Sequence, residues 1–444
     1  MTSTPDAAPD TASPDRPLSP RVRYGLDGLN FTLADVRDGL GPYLAIYLLA
    51  ERGPEQGWNP ATIGAVMTIA GIAGLIAQTP AGALIDRTRN KRAVVIAAAV
   101  AVTLSCLILP FIANFYAVAA TQSLAGIAGA VFPPALAAIT LGVVGPRAFS
   151  RRIGRNEGFN HAGNAVSAAL AAGLALSFGA AVVFWIMGGL AVLSIGATLM
   201  VPADAIDDDV ARGLDHAAGA PGPGPAGAHE EPTGLGVLLR NRPLLVFAAL
   251  MATFHLANAA MLPTVGQKLT TLLGDGYATS LIAVCVVAAQ CVMVPVSMLV
   301  GARADRWGRK PIFVAAFAVL ALRGALFPLS DSPYWLLGVQ LLDGVGAGIF
   351  GALFPVVVAD LTRGTGRFNV SQGAVATAQG LGAALSASLA GTVIVGFGYS
   401  AAFLVLAAVA AAGCAGYWLL MPETRDHVPD AADPVRDPAA VPAR

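Results

Sequence analysis

Ionisable and amide side chains inside long apolar runs are the residues of this sequence best placed to do chemistry. Such groups are costly in hydrocarbon and face a cavity or a partner. Near the start, Asn30 is followed by Asp35, Arg37 and Asp38. Asp35 and Asp38 share a helix face at i, i+3, while Arg37 points about 100° away from Asp38. Two acids one turn apart repel, and taking up a proton relieves the repulsion, as a proton-coupling carboxylate must. The same residues also suit a structural acid–arginine pair. Glu157, Asn160, His161 and Asn164 form a polar stripe up one helix face. Glu157 fits a solvated helix end, and His161 and Asn164 a deeper cavity wall. His255 and Asn258 stand at i, i+3 with Met251 and Met261 a turn away. Histidine titrates nearest neutrality, although a hydrogen-bonded structural role suits this position equally. Arg323 and Asp343 lie at comparable depth and either pair across the interface or present Asp343 to the cavity in the second half. Gln122, Gln340 and Gln379, with Gln290 and Gln372, add neutral hydrogen-bonding groups.

The elements that carry these groups follow from composition. The 444-residue chain is 56% hydrophobic and 12% charged, and its mean hydropathy is +0.67. Soluble domains carry roughly 25% charged residues. Apolar stretches of about 20 residues recur, each long enough to cross a ~30 Å hydrocarbon core as a helix. Twelve spans are predicted, approximately 26–50, 60–83, 92–113, 115–144, 157–177 and 179–201, then 243–267, 277–300, 311–330, 333–360, 369–396 and 399–421. Strands of about ten alternating residues do not fit, so a membrane barrel is excluded. Residues 1–23 and 423–444 read as disordered tails, and 202–242, with its Ala/Gly/Pro-rich centre, as a flexible linker. The domain reading is therefore 24–201 and 243–422, six spans each. Arg87, Arg89, Lys91 and Arg92 follow span two. Arg147, Arg151, Arg152 and Arg155 follow span four. Arg303, Arg306, Arg309 and Lys310 follow span eight, and Arg363 and Arg367 follow span ten. By the positive-inside rule these loops, both termini and the linker are expected in the cytoplasm, with the chain multi-pass in the cytoplasmic membrane.

The two halves repeat. Gly82-Ala-Leu-Ile-Asp86-Arg87-Thr-Arg-Asn-Lys91 is matched by Gly301-Ala-Arg-Ala-Asp305-Arg306-Trp-Gly308-Arg309-Lys310, each between two apolar runs. Gln122-Ser-Leu-Ala-Gly126 is likewise matched by Gln340-Leu-Leu-Asp343-Gly344. Parallel repeats of six spans, with the cargo site between them, are a known transporter plan.

On these motifs the chain resembles the major facilitator superfamily of secondary transporters, over roughly residues 24–422. The loop carrying Gly301, Asp305, Arg306, Gly308 and Arg309 is similar to that superfamily's signature between spans eight and nine. The copy at Gly82, Asp86, Arg87 and Lys91 matches less fully, with Arg89 and Asn90 where Gly and Arg are typical. The resemblance implies an all-α fold of twelve helices in two pseudo-symmetric bundles. It also implies alternating access, with these loop residues as a cytoplasmic gate in which each acid meets a helix N-terminus and arginines. Two features typical of drug–proton exporters are absent. Gln122 stands where an arginine precedes the span-four glycine, and span five lacks their Gly-Pro element.

The expectation is a non-enzymatic transporter of a small organic solute, coupled to protons, with export as the leading direction. Uptake of an organic anion or metal chelate is the alternative. A membrane receptor or assembly protein on the same fold is the alternative of another class. Only three lysines occur and none follows a phosphate-cradling glycine loop, so ATP drive within the chain is not expected. Cys106, Cys285, Cys291 and Cys414 sit in apolar runs without metal-ligand or disulfide spacing. No cofactor, resident metal or nucleic-acid partner is expected. Solute, H+ and lipid are the expected partners of a monomer.

Overall fold

The computed structural model describes residues 18–38, 44, 47, 48, 58–178, 182–214, 240–273 and 275–425. The described chain is helical because hydrocarbon offers no partner to backbone amides, so each span bonds its own backbone. The first half holds α1 (Pro20–Asp38), α2 (Pro60–Arg87), α3 (Lys91–Leu107), α4 (Phe115–Gly129), α5 (Phe132–Phe178), α6 (Val182–Met200) and the short α7 (Asp208–Ala211). The second holds α8 (Arg242–Asn258), α9 (Met261–Leu273), α10 (Asp275–Trp307), α11 (Arg309–Leu326), α12 (Pro333–Thr362) and α13 (Phe368–Leu420).

Among the described residues, nine helices are long and apolar enough to span a membrane. Two of these contain a second crossing. Residues 115–171 include span four, which turns at Gly145 (φ 70°) directly into span five. Residues 368–420 turn likewise at Gly398 (φ 84°). Both positive-φ turns fall on glycine, which adopts that conformation without the Cβ penalty. The polar α1 is not among these nine. Asparagines start several helices. Asn90, Asn114 and Asn241 each accept a hydrogen bond from a first-turn amide of α3, α4 and α8.

The supposed linker starts as ordered structure. Residues 203–205 form a single 3-10 turn, and Asp207 caps α7 by accepting from the amides of Asp209 and Val210 at 3.0 Å. Asp208 pairs with the buried Lys91 at 2.6 Å. The acids there act as a cap and an ion-pair partner as well as solvating charge, so the segment orders. Residues 215–239 lie outside the described residues. So do 1–17 and 426–444, whereas residues 423–425 of the expected tail are ordered against α11.

Each half has its own apolar core. One centres on Leu26, Leu33, Val102, Phe132 and Phe184, the other on Phe247, Phe313, Phe317, Leu353 and Phe403. The halves meet along two seams, α2 against α13 and α5 against α10.

Candidate functional site

Both seams are built on glycine. A Cβ on Gly154 would lie 2.5 Å from the Gly301 Cα, and one on Gly301 would lie 2.6 Å from the Gly154 Cα. In the other seam, Gly82 abuts the backbone of Asn369 and Val370, and Gly373 abuts the Gln78 carbonyl. Only residues without a side chain let helix backbones approach so closely. Thr79 and Thr377 hydroxyls bond across the second seam at 3.2 Å. Ser150 donates to the Gly301 carbonyl across the first at 3.3 Å.

Asp86 seals the charged-loop face. Its buried carboxylate accepts from the Asn369 amide (3.1 Å), the Asn369 side chain (2.8 Å) and the Val370 amide (2.9 Å). These are first-turn amides of α13, without a partner inside their own helix, and the carboxylate also meets the positive end of the helix dipole.

Behind this seal lies a cavity of about 960 Å³ between the halves. Along α2 its wall runs from Met67 to Gln78 and stops short of Gly82. Asn30 and Arg37 of α1, Gln122 of α4, and Asn156 and Glu157 of α5 line one half. His255 of α8, Phe350 and Phe354 of α12, and Gln372 and Gln379 of α13 line the other. Helix crossings shape this wall as well. Gly126 packs against the Ala70 carbonyl, which a Cβ would approach to 2.7 Å.

Two polar chains lead away from the cavity. Asn156 accepts from Arg152 Nε (2.8 Å) and donates to Thr140 (2.8 Å), and Arg152 pairs with the buried Asp27 at 2.7 Å. Arg155 also pairs with Asp27, at 2.6 Å. The second chain crosses between halves. Glu157 Oε2 stands 3.9 Å from His161 Nε2, and His161 Nδ1 shares a 2.7 Å hydrogen bond with Gln290 of α10.

The family profile described as Major Facilitator Superfamily matches residues 28–321 and 261–442. An uncharacterized MFS-type transporter of Mycobacterium tuberculosis strain CDC 1551 / Oshkosh is 57% identical over 409 residues, covering 92% of this chain and 95% of the relative. A protein described in the same way from strain H37Rv gives the same figures. The chain belongs to the major facilitator superfamily. Among solved structures, the proton:xylose symporter XylE bound to 6-bromo-6-deoxy-D-glucose superposes with a TM-score of 0.69 at 13% identity, over 91% of this chain and 96% of XylE. The human organic anion transporter MFSD10 gives 0.65 at 16%, over 90% and 100%. At these identities the likeness is one of fold. The chain is thus a multi-pass MFS transporter and not an enzyme.

Of the MFS transporter's predicted site residues, Arg37, Gln122, Glu157, His255 and Gln379 line the cavity. His255 Nδ1 shares a hydrogen bond with the Met251 carbonyl (3.1 Å) and its ring packs on Phe350. Asp35, Asn160, His161, Asn164 and Asn258 are not part of the lining. Asn160 donates to Glu157 at 3.4 Å. The side chain of Asp38 lies outside the described residues. Arg323 pairs with Asp343, to which Gln340 also donates at 3.2 Å. That cluster lies within the second half, between α11 and α12, and leaves Asp343 engaged rather than turned to the cavity. Asp27, Gln78 and Asn156 went unread in the sequence. An acid at the start of the first apolar run, with arginines flanking span five, is the signal the sequence carries for Asp27.

The two MFS signature loops differ. Lys91 donates to the Thr88 carbonyl as well as pairing with Asp208. Asp305 is 46% exposed and pairs with Arg309 of the next helix at 2.9 Å, rather than capping a helix across the seam. Arg309 also reaches Asp360 (3.0 Å). Glu423 takes over the capping role, accepting from the amides of Arg309 (2.9 Å) and Lys310 (3.1 Å) beside Gly308 at φ 87°. Arg425 donates to the Asp305 and Arg306 carbonyls. Among the described residues, neither Arg87 nor the Arg306 side chain bonds to the Asp86 seal.

Proposed function

We propose that this MFS transporter moves a small organic solute by proton-coupled alternating access, with Glu157 as the coupling acid. What supports the reading is the cavity, walled by both halves and closed at one end by Asp86 on the first turn of α13. A solute held there touches both bundles, so its binding energy biases how they rock.

Among the described residues of the lining, Glu157 is the acid, and it adjoins the opposite half at Gly351, where a Cβ would lie 3.1 Å from Oε2. His255 and Arg37 face the same cavity, and His161 stands behind Glu157. Loading or losing a proton at Glu157 changes its attraction to His161, which holds Gln290 of the other half. Charge at the site is thereby coupled to the α5–α10 seam. The position of Glu157 in the lining, which Asp35 does not share, supports the pair Glu157 and His161 as the coupling groups.

We place the charged loops in the cytoplasm, on the density of arginine and lysine there. Export against a proton gradient is the direction to test first. The test is the full chain in liposomes carrying a pH-sensitive dye, challenged with a panel of organic solutes. A solute-dependent pH change is expected, and its sign gives the direction. Glu157→Gln is expected to abolish that change while leaving solute counterflow within about threefold, because exchange needs no net proton movement. Unaltered proton movement in Glu157→Gln would remove the coupling role from this residue.

A further inference from the structure

We infer that the cargo is an uncharged solute bearing several hydroxyl or amide groups, recognised by glutamines of the α2–α13 seam. The inference rests on the transport reading above and names the class of solute for that cavity.

The cavity's ionisable groups are already engaged by the protein. Glu157 meets Asn160 and His161. His255 is bonded to the Met251 carbonyl. Arg37 also has a partner. Several of the amides are likewise committed. Asn156 uses both ends, to Arg152 and Thr140, and Asn30 donates to the Leu26 carbonyl at 2.8 Å.

Three glutamines differ. Gln78 of α2, and Gln372 and Gln379 of α13, each line the cavity and each keep a buried carboxamide atom with no hydrogen-bond partner among the described residues. Gln372 is 3% exposed. Leaving such an atom unsatisfied costs about 1–3 kcal/mol, so turning the carboxamide toward a solute in the cavity recovers that cost on binding. A carboxamide offers two donors and an acceptor with two lone pairs and carries no charge. It therefore matches adjacent hydroxyls or amides and gives little to a bare cation or carboxylate.

Spacing supports a single extended site. Gln372 and Gln379 are seven residues apart, hence on one face of α13 and about 10.5 Å apart along it. Gln78 is level with the first of them, since Gly373 abuts its carbonyl. The three amides come from both halves, so a solute bonded to them bridges the seam that opens or closes. Phe350 and Phe354 supply an apolar flank.

The test uses the purified full chain in nanodiscs and equilibrium binding of six probes. D-glucose, trehalose, myo-inositol and uridine are neutral, tetraphenylphosphonium is a cation and citrate an anion. Saturable binding of at least one neutral probe is expected. Gln372→Leu and Gln379→Leu should each weaken it about tenfold, the loss of roughly one hydrogen bond, without a change in thermal unfolding midpoint. Gln379 is only partly buried, so its variant serves if Gln372→Leu folds poorly. Binding of sugars and polyols alone, or of uridine alone, decides whether hydroxyls or an amide are read. The assignment is overturned if only the ions bind, if no neutral probe binds, or if neutral binding ignores both substitutions. Counterflow of the same probes in liposomes separates the two readings. Transported ions would leave the carrier standing without this cargo class, whereas neutral binding without flux would leave the site standing without the carrier.

Discussion

Asp86 and Asp305 occupy the same place in a repeated motif and do different work. Asp86 is buried against the opposite half, whereas Asp305 is half-exposed and bound to the neighbouring helix of its own half. The shift in numbering that takes Gly82 to Gly301 also takes Gly154 to Gly373, Gln78 to Ser297 and Ser150 to Asn369. The glycine contacts obey this symmetry and the acids break it. The reason lies in where the facing helix begins. α13 starts at Phe368, so Asn369 and Val370 have first-turn amides to offer. Past Gly145, α5 is already helical from Pro146, so the amides of Ser150 and Arg151 fall in its second turn and bond within it. Asp305 finds no free amides opposite, and Glu423 caps α11 instead. A duplicated motif thus specifies geometry in both copies and a seal in one.

The sharpest way to extend this contrast is the ion pair of Arg323 and Asp343, which belongs to the second half alone. Gln340 and Asp343 match Gln122 and Ala125 in the first half, so the acid has no counterpart there. Arg323→Met should destabilise the chain by about 3 kcal/mol, because Asp343, itself 18% exposed, loses its buried partner. The double variant with Asp343→Leu should recover most of that in thermal unfolding. A double variant as unstable as the single one would refute the pairing.

Next in size is the seal itself. Asp86→Ala leaves two α13 amides and the Asn369 side chain without their acceptor, at a cost of about 1–3 kcal/mol. The closed state of the charged-loop face should therefore fall roughly five- to a hundredfold relative to the open one. Spin-label distances between the loop ends of α2 and α13 would measure this. Asp305→Ala, read the same way between α5 and α10, should shift the balance less than about fivefold, as expected of a half-exposed ion pair. Equal shifts at the two acids would break the comparison.

The smallest effect concerns the substitute cap. Glu423→Ala should cost about 0.5–2 kcal/mol through the first turn of α11, lowering the unfolding midpoint without altering the α2–α13 distance.

The spans and their duplication were legible because hydropathy and charged loops are local signals. The turn at Gly145 was compatible with the expected boundary between spans four and five. Membership of the cavity was far less legible. His161 and Glu157 share a stripe, yet of the two Glu157 lines the cavity while His161 faces α10, since a helix face is shared between a neighbour and the central cavity. Arg323 and Asp343 pair, but sequence carries no sign of whether such a pair faces a cavity or its own bundle. Gln78 is not marked in the sequence, because an uncharged amide in an apolar run has neither charge nor spacing to set it apart. Arg152 was read through topology alone, and its bond to Asp27 depends on two helices remote in sequence.

The reversal at Gly398 gives spans eleven and twelve no slack between them. One end of this hairpin receives Asp86, and just beyond the other, Glu423 grips α11. A tilt begun at one latch must then be felt at its counterpart, as in a crank with a stiff elbow. The unequal ends of the duplicated machine are in this way obliged to keep time with each other.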